Sequence, residues 1–65
     1  MDQHSAKRLE DAAWLLANEI RDGRFAKVVG NDWQPSIREL ARRVPGFTDE
    51  DYLGAITKAM FDSLW

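Results

Sequence analysis

The sequence has no cysteine and a single histidine, His4. A disulfide staple and a thiolate metal site are therefore excluded. His4 has no histidine or cysteine partner, so a structural zinc site is not expected either. Long apolar runs are also missing. No stretch approaches the ~20 apolar residues of a membrane-spanning helix, and no secretory hydrophobic segment follows Met1. The expectation is a soluble, cytoplasmic protein with no membrane partner. The four glycines, at 23, 30, 46 and 54, are too scattered to build a phosphate-cradling loop. The parts of a nucleophile–base pair are lacking, because Ser36 is accounted for by a capping role and His4 stands alone near the chain end. The expectation is no enzyme, no catalytic residue, no cofactor, no metal and no small-molecule substrate.

What the sequence does have is apolar mass. Its 65 residues are 45% hydrophobic and include three tryptophans, three phenylalanines and one tyrosine. A chain of this length makes one domain, residues 1–65, and hides only ~60% of the surface that its unfolded form exposes. Self-association is one way to complete so small a core, and a homodimer is an expectation on that ground. Charged residues make up 31% of the chain with a net charge of −2, a balance typical of globular chains.

The net charge conceals a segregation. Residues 1–23 carry Lys7, Arg8 and Arg21 against Asp2, Glu10, Asp11, Glu19 and Asp22, a net −2. Residues 24–44 carry Arg24, Lys27, Arg38, Arg42 and Arg43 against Asp32 and Glu39, a net +3. Residues 45–65 carry Lys58 against Asp49, Glu50, Asp51 and Asp62, a net −3. A basic middle lies between two acidic ends, and this distribution bears on a partner more than the total does.

The apolar periodicity predicts three helices. The first spans residues 5–22, with Leu9, Ala12, Ala13, Leu16 and Ile20 on one face, Trp14, Leu15 and Ala17 widening it, and Gly23 as the stop. Residues 24–35 read as a connector with turn chemistry at Gly30-Asn31-Asp32. It has room for a short strand at residues 27–29, and Trp33 is its anchor on the core. Ser36-Ile37-Arg38-Glu39 has the form of a capping box, with Pro35 enforcing an extended approach to it. The second helix then carries Ile37, Leu40, Ala41 and Val44 inward until Pro45-Gly46. Thr48-Asp49-Glu50-Asp51 repeats the start signal, and Phe47 and Tyr52 stand at the two positions of a hydrophobic staple. The third helix runs to about residue 61 or beyond and buries Tyr52, Ala55, Ile56, Ala59 and Met60. The fold class is all-α, a three-helix, helix-turn-helix-like domain.

Two motifs in order carry a family resemblance. Ile20 and Gly23, in Glu19-Ile20-Arg21-Asp22-Gly23-Arg24-Phe25, precede Pro35, Ser36, Arg38, Glu39, Leu40 and Ala41, in Trp33-Gln34-Pro35-Ser36-Ile37-Arg38-Glu39-Leu40-Ala41-Arg42-Arg43-Val44. Over residues 15–60 this resembles the DNA-binding domain of GntR-type winged-helix regulators. The resemblance implies a second helix braced on the DNA backbone, a third helix in the major groove and a phosphate contact for Arg38. Three features depart from the family. Both connectors are longer. The third helix opens with Asp49, Glu50 and Asp51 where the family has basic and polar residues. The sequence reaches Trp65 with no β-hairpin wing expected. Carboxylates entering a groove meet phosphate repulsion.

Each candidate site therefore has two readings. Arg38, Arg42, Arg43, Arg24 and Lys27 are candidates for nucleic-acid backbone contacts, or else a solvated face with arginines favouring the negative helix end. Asp49, Glu50 and Asp51 are an acidic docking surface, or else simple stabilisers of a helix start. Phe61, Leu64 and Trp65 exceed what one helix face buries and are candidates for a partner or dimer surface, although the three tryptophans in so short a chain are also natural core residues. Two functions follow. One is a small transcription-regulator-type DNA binder acting by weak backbone contacts. The other is a protein–protein interaction module, an adaptor or inhibitor, that keeps the scaffold without DNA binding.

Overall fold

The computed structural model describes the backbone of residues 3–63 and the side chains of residues 6–63. It contains three helices: α1, Gln3–Arg21; α2, Gln34–Arg43; and α3, Asp49–Ser63. None is long and apolar enough to cross a membrane.

α1 follows its periodicity. Leu9, Ala13, Leu16, Ala17 and Ile20 are buried, and Ala12 is packed partly against them. The helix closes at Gly23, whose φ of 78° is the left-handed conformation that a side chain disfavours. There the Gly23 amide donates to the Ile20 carbonyl at 3.1 Å and the Arg24 amide donates to the Glu19 carbonyl at 2.8 Å. This pair of bonds satisfies the carbonyls that a helix end leaves open. Trp14, expected in the core, is instead 45% exposed, and Leu15 is 60% exposed. Both lie beside the buried stripe, on the flanks of α1 that the other helices do not fully cover.

The strand expected at residues 27–29 does not form. The only β feature among the described residues is an isolated bridge between Val29 and Asp32 around the Gly30-Asn31 turn. A strand needs a neighbouring ladder to satisfy its backbone, and this fold supplies none. Phe25, Val28 and Trp33 lean on the core while Val29 stays exposed.

The capping box expected at Ser36 and Glu39 does not form either. α2 begins three residues earlier, with Trp33 at the cap position and no side-chain cap hydrogen bond. Pro35 sits inside the first turn, where its missing N–H costs nothing, so the extended approach expected of it is replaced by helix. Ser36 is buried within the helix, and the Glu39 carboxylate is occupied by arginines.

The start of α3 behaves as its sequence predicts. Thr48 Oγ1 accepts from the Asp51 amide at 3.2 Å, and Asp51 Oδ2 accepts from the Thr48 amide at 3.2 Å. This is a capping box with aspartate in the reciprocal position. Phe47 and Tyr52 form the staple, their rings edge to face with centroids 5.9 Å apart. The Tyr52 hydroxyl donates to the Val44 carbonyl at 2.7 Å and accepts from the Phe47 amide at 3.2 Å. One buried phenol thus ties the end of α2 to the start of α3. A bond of this type contributes about 0.5–1.5 kcal/mol net. Leu16, Leu40 and Ile56, one from each helix, are fully buried at the centre, and α1 against α3 is the largest of the three helix contacts.

Candidate functional site

Helical spacing puts Glu39 three residues before Arg42 and four before Arg43, so both guanidiniums can fold back onto one carboxylate. They do. Arg42 Nε donates to Glu39 Oε1 at 3.2 Å, and its Nη2 also reaches Glu39 Oε2. Arg43 Nε donates to Glu39 Oε2 at 2.6 Å. Arg43 then forks across to α1, where Nη1 donates to Glu19 Oε2 at 2.8 Å. The side chains of Glu39, Arg43 and Glu19 are only 16%, 25% and 30% exposed. The Arg42 and Arg43 hydrogen bonds hold the Glu39 carboxyl down at about 2, from an ordinary 4.5. The Arg43 hydrogen bond lowers Glu19 as well. In turn the carboxylates raise both arginines. Two carboxylates therefore neutralise two guanidiniums at the α2 end.

The five basic residues of the middle segment do not act as one free patch. Arg24 Nη2 donates to Asp22 Oδ2 at 3.1 Å, and Arg21 Nε lies 3.5 Å from the other oxygen of Asp22. Arg38 and Lys27 are exposed, and neither has an ion pair among the described residues. The structure brings Arg42 and Arg43 together on Glu39, leaves Arg38 one turn back on α2, and places Arg24 and Lys27 on the connector.

The acidic residues are arranged differently. Asp49 and Glu50 are exposed at the start of α3, and Asp51 caps that start. Beyond them, α3 turns Leu53 (38% exposed) and Phe61 (63% exposed) outward. Phe61 is the member of the expected partner surface that can be placed; Leu64 and Trp65 lie outside the described residues.

Between α1 and α3 runs a groove of about 530 Å³. Leu9, Ala55 and Ala59 line its apolar part, and the half-exposed Trp14 forms a wall. Carboxylates ring it: Glu10 and Asp11 from α1, and Glu50, Asp51 and Asp62 from α3, against one ammonium, Lys58. The sequence reading missed Trp14, Glu10, Asp11 and Asp62 as surface residues of one site. The available signal was Trp14 standing at the edge of its helical stripe, next to Glu10 and Asp11.

Comparison of the chain with protein-family models, with curated proteins and with solved structures finds no match.

The depressed Glu39 pKa fixes a pH dependence. A carboxylate whose folded pKa lies below its unfolded value stabilises the fold above the unfolded value, and this contribution is lost as pH falls toward the folded one. Glu39→Gln is expected to be about 1 kcal/mol less stable than the parent at pH 7. Urea unfolding at a series of pH values should show that gap narrowing from pH 4.5 towards about 2 and absent below it.

Proposed function

We propose that this chain is a non-enzymatic protein-interaction module carried on a three-helix scaffold. The observation behind this reading is the exposed surface of α3, which opens on the carboxylates of Asp49 and Glu50 and continues into the apolar side chains of Leu53 and Phe61. Such a surface repels phosphate and favours a polypeptide. Two of the three arginines of α2 that would offset it, Arg42 and Arg43, are engaged by Glu39 and Glu19. A pull-down from source cells, with and without nuclease, tests the reading. Retention of a protein partner after nuclease treatment is the expected result, and loss of everything bound would contradict it.

A second reading, DNA docking through backbone contacts, is favoured by one observation. Arg38 is exposed on α2 with no ion pair among the described residues, and it is the residue to which the GntR-type resemblance assigns a phosphate contact. On this reading Arg38→Ala weakens binding to any duplex and lowers the slope of log affinity against log salt by about 1. A chain that shifts no duplex at low salt would rule it out.

A further inference from the structure

Of the four glycines, Gly23, Gly30 and Gly46 have positive φ and serve turns. Gly54 is different. It lies inside α3 with no positive φ, it is exposed, and a Cβ built on it would meet nothing within 4 Å. A glycine in a helix interior is less stable than alanine, and nothing inside the molecule uses the missing side chain. Gly54 lines the groove between α1 and α3, and it also lines the shallower apolar surface beside Leu53 and Phe61. The bare backbone there permits close approach from outside the chain.

We infer that the groove between α1 and α3 is the docking site of a basic amphipathic helix from another protein. This inference rests on the interaction-module reading and names the chemistry of the partner. Three features of the groove define that chemistry. Leu9, Ala55, Ala59 and the wall of Trp14 accept an apolar stripe. Gly54 admits that stripe close to the α3 backbone. Glu10, Asp11, Glu50, Asp51 and Asp62, against Lys58, give the rim a net −4 and call for lysine or arginine on both flanks of the stripe. Lys7, exposed one turn before Glu10 and Asp11, offsets the α1 side only in part.

The geometry also selects a helix over an extended peptide. Both walls are helices, whose backbone groups bond internally, so no sheet edge is offered for strand addition. From Glu50 to Asp62 the rim follows α3 for roughly 18 Å, the length of about three helical turns. A second copy of this chain does not meet the requirement. The apolar stripe of α2, the one helix with a basic excess among the described residues, is buried in the core, and α3 would bring acid against acid. The occupant is a different polypeptide.

The test uses the full chain and a labelled synthetic peptide of about 16 residues, with leucines at helical i, i+3, i+4 and i+7 spacing and lysines elsewhere. Controls are the same composition in scrambled order and an analogue with glutamate for lysine. Fluorescence anisotropy should show saturable binding of the amphipathic peptide, with both controls weaker by about tenfold or more. Gly54→Leu projects into the groove from a position where an added Cβ meets nothing within 4 Å, and it should weaken binding by about tenfold with helicity and melting temperature retained. The charge-reversed pair Glu50→Lys and Asp62→Lys should do the same by a separate route. Absence of saturable binding, equal binding of the scrambled peptide, or undiminished binding by Gly54→Leu would each overturn the inference. So would a concentration-dependent dimer that Gly54→Leu abolishes, since a second copy would then fill the groove. The two proposals fail distinguishably. A cellular protein partner retained after nuclease by both the parent and Gly54→Leu would leave the interaction module standing and remove the groove, whereas recovery of nucleic acid alone would remove the module itself.

Discussion

Arg43 is gripped by two carboxylates from two different helices, and much of the molecule is arranged around that grip. Glu39 holds it from within α2 and Glu19 holds it from α1. Glu19 has a second duty, because its backbone carbonyl accepts the Arg24 amide that closes α1 at Gly23. The end of α1 and the end of α2 are thus fixed to each other through one residue. At the same end of α2, the Tyr52 hydroxyl holds the Val44 carbonyl and so positions the turn into α3. Exposed ion pairs contribute little individually, but a partly buried guanidinium shared between two carboxylates loses less to solvent screening.

This arrangement decides where charge is available to a partner. The basic middle of the sequence has a formal excess of three, yet Arg42 and Arg43 are matched by Glu39 and Glu19, and Arg24 is matched by Asp22. Lys27 and Arg38 are the basic residues of that segment with no ion pair among the described residues. The carboxylates of the groove have no such compensation. Glu10, Asp11, Glu50 and Asp62 make no ion pair among the described residues, and they surround apolar surface instead of closing it. The segregation seen along the sequence is therefore redrawn in space: cation neutralised at the junction of α1 and α2, anion displayed along α1 and α3.

How much of this was legible in the sequence depended on how local the cause was. The buried faces of α1 and α3 follow from apolar spacing, as Leu9, Leu16, Ile20 and Ile56 show. The start of α3 follows from Thr48, Asp51, Phe47 and Tyr52, all within six residues of one another. The second helix start was misread because Ser36 and Glu39 match a capping pattern that two other forces override. Pro35 is tolerated inside the first turn, and charged guanidiniums take the Glu39 carboxylate in place of the Ser36 backbone amide. The short strand was misread because strand formation depends on a partner that the local residues do not reveal. The Glu19–Arg43 bond joins residues 24 apart in sequence, and the groove exists only once α1 and α3 are placed side by side. Neither has a local signature. Trp14 looked like core because its position beside the stripe was read as widening it.

The central claim is that Arg43 is a fixed part of the fold, not a surface cation open to phosphate. A double-mutant cycle on Glu19→Gln and Arg43→Gln, followed by urea unfolding at neutral pH, measures this directly. The account predicts that the two substitutions couple, the double mutant losing clearly less stability than the sum of the two single mutants, as residues in contact do. Effects that add to within about 0.3 kcal/mol, as for independent sites, would contradict it and return Arg43 to the surface.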